Sequence, residues 1–168
     1  MLSGGDTLFT SQVALNALCD HIQEAYHAPI ARSCEVIETY FHTHTELPGF
    51  PESVSELLPL LFSRLQDECK HLMLKESGIV FPCIRQKALL GETCTVPPAV
   101  FEAIKETHQT LINLLQKLRQ LLHNYVTQPG WPAEWVGCMQ EFFALETSFH
   151  RWIYIAQSQL YPRIIKPL

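Results

Sequence analysis

The chain has 168 residues, a formal net charge of -5 and 47% hydrophobic residues. That length suits one domain burying roughly two-thirds of its unfolded surface with no disulfide or metal to staple it. The acidic balance and the lack of a Lys/Arg-rich run exclude a phosphate-tracking surface, so neither DNA nor RNA is an expected partner. The six cysteines, at 19, 34, 69, 83, 94 and 138, form no C-x-x-C pair or dense framework. They read as reduced thiols of a cytoplasmic protein with no disulfides. No apolar run approaches the ~18 residues of a membrane span, so no membrane association is expected.

In chain order, residues 1–10 read as a short polar leader and 11–168 as a single domain. Ser11 is placed to cap a long helix whose stripe His27, Ile30, Cys34, Ile37, Phe41 and His44 alternates steps of three and four. Pro29 falls inside it and predicts a kink, because proline removes a backbone donor and crowds the preceding turn. Leu47-Pro-Gly-Phe-Pro51 stops that helix. A second begins near Ser53 or Ser55, takes Pro59 in or near its first turns, and carries Leu58, Leu61, Leu65, Cys69, Leu72 and Glu76 on one face. Gly78 weakens it, and Pro82 predicts a break followed by a short helical piece to about Ala88.

Leu90 to Pro98 reads as a linker. The third helix is the clearest, with Phe101, Ile104, His108, Leu111, Leu115, Leu118, Leu122 and Tyr125 in unbroken heptad spacing. Gln128-Pro-Gly-Trp-Pro132 is a turn, and the fourth helix reaches Tyr161 with Phe142, Leu145, Phe149, Trp152, Ala156 and Leu160 inward. Four long amphipathic helices with short connections define an all-α fold, an antiparallel up-down four-helix bundle.

The chain also repeats itself. Leu72, Glu76, Val80, Phe81 and Pro82 recur in outline as Trp152, Ala156, Leu160, Tyr161 and Pro162, and each half has a histidine, His27 or His108, about 45 residues upstream. The inward polar set is therefore His27, Glu76 and His108. Bundles that hold metal project such groups inward from facing helices, and two imidazoles with a carboxylate can bind one divalent ion with open positions. A buried Glu hydrogen-bonded to one or two His needs no ion and is the competing reading. Cys34 and Cys69, on the same stripes, read as small core hydrophobes. His71 and His150 lie one and two residues from the inward positions Leu72 and Trp152, and at about 100° of rotation per helical residue they are expected to be exposed.

With these residues in view, the sequence resembles the hemerythrin-like (HHE cation-binding) family, most closely the di-iron proteins that repair iron centres under nitrosative and oxidative stress. The resemblance runs roughly from Cys19 to Ile165. Its carriers are Asp20-His-Ile-Gln-Glu-Ala-Tyr-His27, Lys75-Glu-Ser-Gly-Ile-Val-Phe-Pro82, Glu106-Thr-His108 and Leu160-Tyr-Pro-Arg163. The resemblance implies a seven-ligand set of five His and two Glu, of which His27, Glu76 and His108 stand in register. Three family ligand positions are lost: Leu72 stands for one His, Trp152 for another, and Ala156 for a Glu. A further His falls near Pro48, with His44 as the nearest substitute and the better candidate of His42 and His44.

Two readings follow. One is a reduced site holding at most one iron, or zinc or manganese in its place, through His27, Glu76 and His108 with His44 as an additional candidate, in iron or nitrosative and oxidative stress handling. The other is a metal-free degenerate bundle serving as a protein-interaction or regulatory module, in which Glu76 pairs with His27 or His108. A homodimer or a protein partner fits either. Nothing resembles a nucleophile elbow, a P-loop or a dinucleotide fingerprint, so a non-enzymatic role is the expectation.

Overall fold

The computed structural model describes residues 12–90 and 95–165. The expected leader, the Ser11 cap and residues 91–94 of the Leu90–Pro98 linker lie outside them. Every regular element among the described residues is helical, which defines an all-α bundle. The first rod consists of α1 (Gln12–Ile22), a π-turn (Gln23–His27) and α2 (Ala28–Thr43). The second is α3 (Glu52–Lys75), a π-turn (Glu76–Val80) and α4 (Phe81–Leu90). Then come α5 (Pro98–Leu121) and a last rod of α6 (Ala133–Ile155), a π-turn (Ala156–Leu160) and α7 (Pro162–Ile165).

The three π-turns share one cause. In each, the wide hydrogen bond spans five residues: Ala28 N–H to Gln23 O, Phe81 N–H to Glu76 O, and Tyr161 N–H to Ala156 O. The next residue is in every case a proline, Pro29, Pro82 or Pro162. A proline has no N–H for the carbonyl four residues back and its ring clashes there; a widened turn accommodates both facts without ending the helix. The break expected at Pro82 is thus not made, and at Pro29 the helix likewise continues through a bulge. Pro59 lies within uninterrupted α3, so proline permits the wider turn without dictating it.

Each π-turn adds a residue to the winding and slips the buried face by about 100°. Val80 and Phe81 are accordingly both buried, as are Leu160 and Tyr161.

α3 packs on α5, α2 on α6 and α1 on α4. The seam between them takes up the predicted stripes: Ile30, Leu58, Leu65, Leu111, Phe142 and Phe149 are among its buried members. Each such side chain contributes on the order of 1.5–3 kcal/mol by leaving water. Arg85 on α4 holds α1 and its π-turn in place, donating to Asn16 Oδ1 at 3.2 Å, Asp20 Oδ1 at 2.8 Å and Gln23 Oε1 at 3.1 Å. No described helix is long and apolar enough to cross a membrane.

Two connections differ from expectation. The third helix ends at Leu121, and His123, Asn124 and Tyr125 follow in left-handed backbone, φ 50°, 58° and 61°. Heptad spacing is blind to this reversal because Tyr125 is still buried and stacks on Phe142 at 5.9 Å. At the first turn, Gly49 has φ 81°, and a Cβ there would lie 2.8 Å from the Trp131 ring. The expectation of uniformly reduced thiols fails at Cys83, which is disulfide-bonded, while Cys19, Cys34, Cys69 and Cys138 are free and buried. The absence of a C-x-x-C pattern does not exclude a disulfide between cysteines farther apart in sequence.

Candidate functional site

The site is built where the three π-turns deliver their residues. Glu76 opens the second of them and is wholly buried. An unpaired carboxylate there would be very costly, so its oxygens must be occupied. They are. His27, which closes the first π-turn, donates from Nε2 to Glu76 Oε1 at 2.8 Å. The Trp152 indole Nε1–H donates to the same oxygen at 2.8 Å. The Tyr161 hydroxyl, delivered by the third π-turn, donates to Oε2. Three elements thus aim donors at one carboxylate.

The rings that carry these donors pack on one another. His27 stacks on Phe81 with centroids 5.7 Å apart and planes at 19°, and meets Trp152 edge-on at 4.9 Å. Its side chain is 11% exposed, which gives the node a contact with solvent. Burial, then the adjacent Glu76 charge and hydrogen bond, push the Tyr161 phenol well above its ordinary titration range, so it stays protonated.

His108 occupies the other side. It stacks on Tyr161 at 5.9 Å and 21°, which repeats the geometry of His27 on Phe81 and expresses the sequence repeat in three dimensions. Here the symmetry stops. Position 156, equivalent to Glu76, holds Ala156, and His108 Nε2 is buried with no hydrogen-bond partner among the described residues. Nδ1 lies 2.9 Å from Gln157 Nε2. Burial outweighs the attraction of Glu76 and pulls the His108 pKa down to about 4, so the ring is neutral at pH 7.

Of the residues named from sequence, then, His27 and Glu76 are in direct contact, and His108 borders them through Tyr161. His44 is set apart. It lies beyond the end of α2 in extended backbone, stacks on Tyr40 at 4.1 Å and places Nε2 3.2 Å from Glu134. Along the helix it is roughly 25 Å from His27 at about 1.5 Å per residue. The stripe that recommended it holds through Ile30, Cys34 and Ile37, all buried, and stops with the helix at Thr43. His71 and His150 are exposed. Cys34 and Cys69 are buried. Among the described residues, no group of three or more His, Cys, Asp or Glu side chains is arranged to hold a metal ion.

Leu72 and Ala156 are apolar and fully buried. Trp152 does more than fill space, because its N–H is one of the carboxylate's three donors. Tyr161 and Gln157 were not singled out as site residues. A signal for Tyr161 was present: it stands directly before Pro162, as Phe81 stands before Pro82, and the hydroxyl is the one difference.

The fold and site together define an all-helical bundle with a hydrogen-bonded carboxylate, Glu76, buried in its core. Compared with known proteins, the chain matches no family model, no curated protein and no solved structure.

Proposed function

We propose that the chain is a hemerythrin-like antiparallel bundle whose ion cavity has become hydrogen-bonded core, and that it serves as a metal-free interaction or regulatory module. The observation that carries this reading is the occupation of Glu76 by three donors from His27, Trp152 and Tyr161. An indole N–H is a donor only and cannot ligate, so Trp152 holds against the carboxylate a group that a cation would have to displace. Leu72 and Ala156 replace two further ligands of the family pattern with apolar side chains. The test is thermal melting with stoichiometric iron(II) or zinc. Only a ligand that prefers the folded state raises the melting temperature, so no shift is expected, and a saturable upward shift overturns the reading.

One observation favours a second reading, a reduced site for at most one iron or similar ion in iron or stress handling. The neutral His108 ring keeps an unpartnered Nε2 beside the same cluster, and a neutral imidazole is the form that binds metal. This reading requires Trp152 to leave Glu76. Metal analysis of protein purified under reducing, iron-replete conditions decides it: stoichiometric metal, lost in Glu76→Ala, supports the ion, and trace metal ends it.

A further inference from the structure

We propose that Tyr161 is a buried one-electron redox site, which gives its electron to an outer-sphere one-electron oxidant and its phenolic proton to Glu76. The proposal rests on the metal-free reading of the carboxylate node.

The argument begins with the hydroxyl. Tyr161 is 5% exposed and its O–H points at Glu76 Oε2. A phenol that loses an electron becomes a strong acid. Oxidation is therefore accessible inside a protein where a base already touches the hydroxyl, and Glu76 is such a base. Its other oxygen, Oε1, stays bound to His27 and Trp152, so the carboxyl group need not move to take the proton.

The step balances as follows. The Tyr161 O–H bond breaks, the proton forms an O–H bond on Glu76 Oε2, and one electron passes to the oxidant. A neutral phenoxyl radical and a neutral carboxylic acid remain. The phenol–carboxylate pair carries one negative charge before the step and none after it. Removing a charge from a wholly buried position relieves the desolvation penalty that position imposes. Reduction by a one-electron donor reverses every transfer.

The surroundings favour persistence. The Tyr161 ring is 5% exposed and its hydroxyl lies on wholly buried Glu76; His108, stacked on the ring at 5.9 Å, and Phe101, edge-on at 5.6 Å, line with it a solvent-open pocket of about 290 Å³. Tyr154, 68% exposed, provides an internal contrast.

The experiment is flash-quench oxidation of the full chain with a ruthenium(II) polypyridyl complex and a sacrificial acceptor, read by transient absorption and electron paramagnetic resonance. The expected result is a tyrosyl radical that outlives a surface one, forms more slowly in D2O, and remains when Tyr26 and Tyr154 are replaced by Phe. It should disappear in Tyr161→Phe, and its formation should slow in Glu76→Gln with circular dichroism unchanged. A purely structural Tyr161 would move neither the isotope effect nor the lifetime. A long-lived signal that survives Tyr161→Phe, or vanishes with Tyr26 and Tyr154, overturns the proposal, as does a rate indifferent to D2O and to Glu76→Gln. Metal analysis of the same sample separates this failure from failure of the metal-free reading: bound metal sinks the latter whatever the radical does.

Discussion

Replacing Glu76 is the sharpest test of what the centre of the bundle is for. In Glu76→Ala, His27, Trp152 and Tyr161 each lose their acceptor inside the core. An orphaned buried donor costs about 1–3 kcal/mol. His27 recovers part of this through its exposure to water, so the expected total is about 4 kcal/mol, the range found when one partner of a buried pair is removed. For a chain of this size that lowers the melting temperature by roughly 10 °C. Glu76→Gln should behave differently. Its amide oxygen can keep both bonds now made to Oε1, and its NH2 replaces Oε2 opposite Tyr161, whose hydroxyl can turn to accept. The remaining loss, of charge-assisted strength, is about 1–2 kcal/mol. Urea unfolding followed by far-ultraviolet circular dichroism measures both. If Ala costs less than about 1 kcal/mol, or Gln costs as much as Ala, the carboxylate is not held by these three donors and the reasoning fails.

Other predictions are independent of that one. His108→Leu should leave stability unchanged or raise it by about 1 kcal/mol, since it removes an unsatisfied buried nitrogen and keeps apolar volume; a loss of several kcal/mol in urea unfolding would show that Nε2 has a partner. The folded His108 pKa, about 4, lies below the ordinary 6.5. The unfolded chain therefore takes up the proton first, and His108's contribution is fully present above pH 6.5 and drains away as pH falls toward 4. Integrated over that window it is on the order of 3 kcal/mol, and stability measured against pH should lose this limb in His108→Leu. Asn124, at φ 58°, should tolerate Gly and lose about 1 kcal/mol as Ala, measured by the same unfolding assay. Gly49→Ala combines left-handed backbone with a clash against Trp131 and should cost at least about 1 kcal/mol, whereas an unchanged melt would mean the indole moves aside freely.

The apolar stripes were legible because burial and a steady helical period leave the same mark on a sequence, and Leu58, Leu65, Leu111 and Phe149 all fall on the inner face. His27 and Glu76 were legible as inward polar residues for the same reason. What escaped is whatever departs from a constant turn. A fixed period carries His44 inward, while the end of α2 at Thr43 and the extended backbone of His44 take it out. It also cannot predict Phe81 and Tyr161 joining Val80 and Leu160 inside. Hydropathy treats Trp152 as oil, yet one N–H makes it a partner of the carboxylate. The repeated proline at 82 and 162, with Pro29 as a third instance, was the available clue, and reading it requires the backbone consequence of a missing donor rather than a break signal.

The rotational setting of His27, Phe81 and Tyr161 is tied to widened turns that Pro29, Pro82 and Pro162 permit. Relaxing one of them, for example through Pro82→Ala, would let an ordinary helical turn re-form and twist the downstream segment about its own axis by one residue. Phe81 would swing from under His27 without any change in the chemistry of the node itself. In a bundle wound this way, the backbone acts as the vernier and the side chains as the pointer, so the centre can be re-aimed by substitutions a full turn away from it.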